Sequence, residues 1–199
     1  MLSVNVAFAD NETIYVSSDG SDSLGNGTAD NPYQTLNFTI EKASNNSNIY
    51  LKSGTYNSTG YEIANKSVTI TGEDGVVIDG CGGKNSQLMF KVNKDSSLAL
   101  NNIKFVNGNA TKGGMLSPII NDGDLYINKC YFNNFSTIDG VIKNNNHLYL
   151  NDVTTSNLNI DWDDVFDALN EVGYDGVLNL EVNFSKYGNG FELETADFS

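Results

Sequence analysis

The sequence predicts an all-β fold, a parallel β-helix of about five rungs, and three observations lead there. First, three segments repeat one pattern: Leu98-Ala99-Leu100-Asn101-Asn102-Ile103-Lys104-Phe105-Val106-Asn107, then Leu125-Tyr126-Ile127-Asn128-Lys129-Cys130-Tyr131-Phe132-Asn133-Asn134, then Leu148-Tyr149-Leu150-Asn151-Asp152-Val153-Thr154-Thr155-Ser156-Asn157. Their spacings of 27 and 23 residues lie in the roughly 20–50-residue range of solenoid repeats. Second, each copy alternates apolar and polar residues, breaks at Asn and alternates again, which marks two short strands joined by a bend. Third, the chain holds 30 Asn and 19 Gly against two Pro, with only 18% charged residues. That composition suits frequent tight turns, because Asn and Gly tolerate the left-handed backbone.

One such unit cannot bury its apolar side, whereas stacked copies about 4.8 Å apart place like residue over like and close a continuous core. The expected core columns are Leu98/Leu125/Leu148, Leu100/Ile127/Leu150, Ile103/Cys130/Val153 and Phe105/Phe132/Thr155. Asn101, Asn128 and Asn151 would align as a hydrogen-bonded ladder. A β-sandwich also recurs strand and turn, but gives no reason for the same Asn in the same column. Looser copies precede these three, at residues 48–56 and 68–80.

Residues 1–9 read Met-Leu-Ser-Val-Asn-Val-Ala-Phe-Ala, ending Ala-x-Ala before Asp10, as at the cleavage site of a secretory signal. A parallel β-helix domain is expected over 10–158 and a separate tail over 159–199. The opening Thr13-Ile-Tyr-Val-Ser-Ser-Asp-Gly-Ser-Asp-Ser, with Gly27-Thr28-Ala29-Asp30-Asn31-Pro32-Tyr33-Gln34-Thr35-Leu36, resembles the start of right-handed β-helix proteins of the pectate-lyase-like superfamily. The stretches Ile49-Tyr50-Leu51-Lys52-Ser53-Gly54-Thr55-Tyr56, Val68-Thr69-Ile70-Thr71-Gly72-Glu73 and Val77-Ile78-Asp79-Gly80 continue the likeness. The resemblance implies a right-handed coil and a capping helix over 36–43 at its N-terminal end. Gly113-Gly114-Met115-Leu116, Asp139-Gly140-Val141-Ile142 and the two Phe-x-Asn runs resemble repeats of adhesin-like surface proteins of archaea and bacteria.

The formal net charge is −14 and arginine is absent. Nucleic acid is therefore excluded as a partner, since it is bound by basic patches. No apolar run reaches the ~20 residues needed to cross a bilayer as a helix. Nine Asn-x-Ser/Thr sequons accord with secretion without establishing glycosylation. Two cysteines make no disulfide framework, and Cys130 falls at a core position.

The superfamily's lyases pair an Arg or Lys base with carboxylates that hold Ca²⁺, and its hydrolases pair aspartates on adjacent rungs. Asp79, Asp95, Asp122, Asp124, Asp139 and Asp152 sit mostly beside Gly or Asn, where Asp serves turns, and none pairs at matching columns. No catalytic residue is assigned. Asp19-Gly20-Ser21-Asp22-Ser23 is the best candidate for a Ca²⁺ loop, through Asp19 and Asp22, but it lacks a bidentate glutamate at fixed spacing and reads first as a solvated turn. No other cofactor is called for. His147, the sole histidine, is placed on the outer face beside Leu148. Tyr126, Tyr131 and Tyr149 alternate with core positions and so point outward, and Tyr126 over Tyr149 would form an exposed aromatic pair.

Past Asn157 the pattern changes. Trp162, Val165, Phe166, Leu169 and Val172 recur at helical spacing, Asp161 suits an N-cap and Gly173 a helix end; a strand follows over 177–182. This stretch is similar to the last helix and strand of xylose-isomerase-like sugar phosphate isomerases and epimerases, which places Glu181 at a metal-ligand position. The likeness spans about 25 residues, far short of a barrel of ~250. The expected function is a secreted or cell-surface, non-catalytic, adhesin-like domain that binds host or cell-surface glycans or proteins. Its rivals are a polysaccharide lyase or hydrolase and, more distantly, an isomerase remnant.

Overall fold

A computed structural model describes residues 13–58, 60–81, 88–110, 117–137 and 140–159. Strand β1 (Thr13–Val16) leads through a long loop to the helix α1 (Leu36–Lys42), after which the chain begins to coil. The first coil carries β2 (Ser47–Leu51), β3 (Gly54–Asn57) and β4 (Tyr61–Ile63); the second carries β5 (Ser67–Gly72), β6 (Val76–Asp79) and β7 (Phe90–Val92). The third has β8 (Ser97–Asn101), β9 (Lys104–Val106), β10 (Asn109–Ala110) and β11 (Ile119–Asn121). The fourth has β12 (Asp124–Asn128), β13 (Tyr131–Thr137) and β14 (Ile142–Asn144), and β15 (His147–Asn151) and β16 (Thr154–Asn159) begin another.

The strands stack into three parallel sheets. The first runs β1-β2-β5-β8-β12-β15, the second β3-β6-β9-β13 with β10 and β16 on β13, and the third β4-β7-β11-β14. This is a parallel β-solenoid. Its turn count is lower than the expected five: the third sheet has four strands, so the chain completes three full turns between β4 and β14. The sequence overcounts because β1 adds a strand without a coil and β15–β16 begin a coil that lacks a third side among the described residues.

The core columns are in the expected register, Leu98↔Leu125↔Leu148, Leu100↔Ile127↔Leu150 and Phe105↔Phe132↔Thr155. In-register stacking lays the Phe105 and Phe132 rings parallel at 4.9 Å, and Phe90 meets Phe105 edge-on at 6.2 Å. Tyr61 joins Phe90 at 4.9 Å and gives its hydroxyl to the Asn57 carbonyl. Phe135 closes over Gly108, where a Cβ would stand 2.1 Å from the ring, so only glycine fits. Ile103, Cys130 and Val153 are buried at the bends.

The bend itself corrects one expectation. The left-handed residue is the one after the ladder asparagine, namely Asn102, Lys129 and Asp152, with φ of 53°, 52° and 50°. The asparagine stays extended because it is still paired in the strand ladder.

Helix α1 is two turns long and depends on its neighbours. Thr35 caps it by accepting from the Phe38 N–H, and Leu36, Thr39 and Ile40 are buried. It packs against β1 and β4, covering the first end of the core. At its C-terminal end the Lys66 ammonium donates to the Ile40 and Ala43 carbonyls, where the helix dipole is negative. The expected tail elements, 161–173 and 177–182, lie outside the described residues.

Candidate binding face

The outward face of the first sheet gathers most of the residues singled out in the sequence. Strand alternation sends Leu125 and Ile127 inward and Asp124, Tyr126 and Asn128 outward, and β15 repeats the pattern with His147, Tyr149 and Asn151. Parallel pairing puts Tyr126 opposite Tyr149. Their rings stack at 4.6 Å and 4°, close to the strand spacing of about 4.8 Å. Both are exposed, at 39% and 49%.

The asparagine column runs beside them. Asn151 donates its amide to Asn128 Oδ1 at 2.6 Å, Asn128 to Asn101 Oδ1 at 3.4 Å, and Asn101 to the Thr71 hydroxyl at 3.4 Å. Each amide donates down the stack, and Asn128 and Asn101 also accept from the asparagine above, leaving further donor and acceptor capacity for a ligand. On the other side of the tyrosines, His147 Nδ1 meets Asp124 Oδ1 at 2.9 Å. Burial, with Asp124 and Tyr149 nearby, pushes the Tyr126 phenol up, so it stays a neutral hydroxyl at physiological pH. The position of β15 is fixed from within. Asn121, fully buried, donates to Asn144 Oδ1 at 2.7 Å and to the His147 carbonyl at 2.8 Å.

Two features escape sequence reading. The Asp124–His147 pair is one; its signal is the shared position of the two residues, each just before the leucine of the repeat. The other is a second ladder along the second sheet, where Asn134 of β13 donates to Asn107 Oδ1 at 2.6 Å, just past β9, and Asn107 to Asp79 Oδ1 of β6 at 3.0 Å. The Phe-x-Asn runs are its trace in the sequence.

The loop proposed for Ca²⁺ has another use for its second carboxylate. Asp22 accepts from the Gln34 and Thr35 N–H groups at 2.8 and 2.9 Å and from the Thr35 hydroxyl at 2.6 Å, so it braces the residue that caps α1. The Asp19 N–H donates to Ser17 Oγ. Among the described residues, no three His, Cys, Asp or Glu side chains stand together as a metal-binding group. Glu181 lies outside the described residues.

No protein-family profile and no curated protein matches the chain. Among solved structures, a variant of the PL6-family alginate lyase AlyGC, with an arginine replaced by alanine, is similar. The TM-score is 0.54 and the identity 20%, over 78% of this chain and 21% of that one. That likeness shows the fold, a parallel β-helix. The chain spans about a fifth of the length of that lyase. The isomerase-like reading of 161–182 finds no support in these comparisons.

Proposed function

We propose that the protein is a secreted or cell-surface, non-catalytic β-helix domain that binds carbohydrate through the outer face of its first sheet. The observation that carries this reading is the exposed, in-register Tyr126–Tyr149 stack beside a column of asparagine amides. Aromatic rings offer flat apolar area with a polar tip. The C–H face of a sugar lies on such a surface, while hydroxyls reach the amides of Asn128 and Asn151 and the Asp124 carboxylate. The strand framework holds these groups in place before binding, which lowers the ordering cost.

Tyr126→Ala should weaken binding to a panel of immobilised glycans by about tenfold, with the far-ultraviolet circular dichroism unchanged. Equal retention of wild type and Tyr126→Ala across the panel would refute the reading. The rival, a polysaccharide lyase, is favoured by the shared fold with an alginate lyase. The third sheet lines up Glu62, Lys91 and Lys143 around Ile120 in one column, which would have to supply a base and neutralise uronate carboxylates. Incubation with alginate or pectin, with and without Ca²⁺, is expected to release no unsaturated ends. Turnover abolished by Lys91→Ala would establish the lyase instead.

A further inference from the structure

The same face carries a second aromatic pair. Tyr15 and Tyr50 stand opposite each other on β1 and β2, with ring centroids 5.5 Å apart and planes at 55°. Both are half-buried. Tyr15 and Tyr50 begin the column that continues Thr71, Asn101, Asn128, Asn151. Tyr126 belongs to the neighbouring column, which runs Asn48, Thr69, Ala99, Tyr126, Tyr149. Between the two pairs, β5 and β8 turn only small or amide side chains outward: Ser67, Thr69 and Thr71, then Ser97, Ala99 and Asn101.

The consequence is a trough along the solenoid axis. Tyr50 and Tyr126 lie three strand spacings apart along the axis, about 14 Å, and in adjacent outward columns about 7 Å to the side, and the floor between them is low. Ala99 stands directly under Tyr126 in register, so the face of that ring away from Tyr149 looks onto a methyl group. The floor offers hydroxyls and an amide, and its outward strand positions carry no lysine, aspartate or glutamate; the face's first carboxylate is Asp124, beyond the trough.

We infer that this trough binds a neutral, linear glycan lying along the solenoid axis, with one sugar against Tyr126 and another against Tyr50. This rests on the carbohydrate-binding reading of the face and deepens it. A uronate polymer is the wrong ligand here, because its carboxylates would meet no cation at the outward strand positions of the trough, and the chain's net charge is −14. Linking the two contacts through one chain makes the second intramolecular, so affinity should rise steeply once a ligand spans both pairs.

The test is calorimetric titration of the full chain with neutral cello- and xylo-oligosaccharides of increasing length, and with alginate oligosaccharides of matched length. Neutral ligands should bind, with a jump in affinity of about tenfold or more at the length that reaches both tyrosines. Tyr50→Ala should remove that jump and leave short-ligand binding intact. Ala99→Tyr continues the Tyr126–Tyr149 stack into the trough, so it should hold or raise stability while abolishing the long-ligand gain. If Tyr126→Ala weakens binding but Tyr50→Ala and Ala99→Tyr do not, the trough is wrong and the carbohydrate reading stands. Tighter binding of alginate than of the neutral series overturns the trough alone. Absence of binding by every probe overturns both.

Discussion

At the scale of single residues, the bends of the solenoid divide one job between two positions. Asn101, Asn128 and Asn151 keep extended backbones and give their amides to the ladder, while the next residue takes the left-handed conformation. In the second ladder one residue does both, since Asn107 and Asn134 have φ of 57° and 59° and also pass the amide bond along. Asn128→Leu should therefore cost about 1–3 kcal/mol, by removing its bond to Asn101 and leaving Asn151 without an acceptor. Urea unfolding measures this, and a loss no larger than that of Lys129→Ala would dismiss the ladder as incidental. The sequence reveals the ladder column because asparagine recurs in it. It hides the strained residue, because Lys129 has no preference for the left-handed region and occupies it only because the strand on either side demands a bend there.

Among elements, legibility follows length. β8, β12 and β15 each span five residues, enough for alternation to fix which side faces the core, and their register is that of the repeat. The four strands of the third sheet have three residues each, too few to show a period, and nothing in their composition distinguishes them from loop. Helix α1 is expected over 36–43 from the resemblance alone, one residue beyond its observed end at Lys42, and its bracing is not legible. Asp22 reaches Thr35 across 13 residues, a contact with no periodic signature. Asp22→Ala should lower stability by about 1–2 kcal/mol, through loss of the hydroxyl and N–H bonds that orient the cap. Because that carboxylate serves the helix, millimolar Ca²⁺ should leave the melting temperature of wild type unchanged. A Ca²⁺-dependent rise that disappears in Asp22→Ala would return the loop to the role of a metal site.

For the whole molecule, a core of stacked like residues makes stability depend on a few buried polar groups and on the ends. Burial pushes the Cys130 thiol up from 9.0 to about 11 and, with Glu73 and Asp19 adding to it, the Tyr56 phenol up from 10.0 to about 12; burial raises Tyr61 as well. Each group has its folded value above its unfolded one, so its contribution is complete below pH about 9–10 and is lost as pH climbs through about 11–12. The melting temperature should be flat to about pH 9 and fall above it, and Cys130→Ala should remove the earliest part of that fall. The two ends of the solenoid differ. Helix α1 covers the first, but among the described residues β15 pairs only with β12, and Leu148 and Leu150 are half-buried where their counterparts one coil below are buried. An uncovered parallel edge with apolar side chains beneath it is a template for another chain. The chain continues past Asn159 for 40 residues, and Trp162, Val165, Phe166, Leu169 and Val172 recur there at helical spacing. That segment follows the open edge directly in sequence, and covering the edge would give the tail a structural role without isomerase chemistry. Removal of residues 160–199 should then drive self-association, read as a concentration-dependent rise in mass by light scattering. In the intact chain Mn²⁺ or Mg²⁺ should not raise the melting temperature. A truncated protein that stays monomeric at full stability would show that the edge needs no cover, and metal-dependent stabilisation lost in Glu181→Gln would restore Glu181 as a ligand.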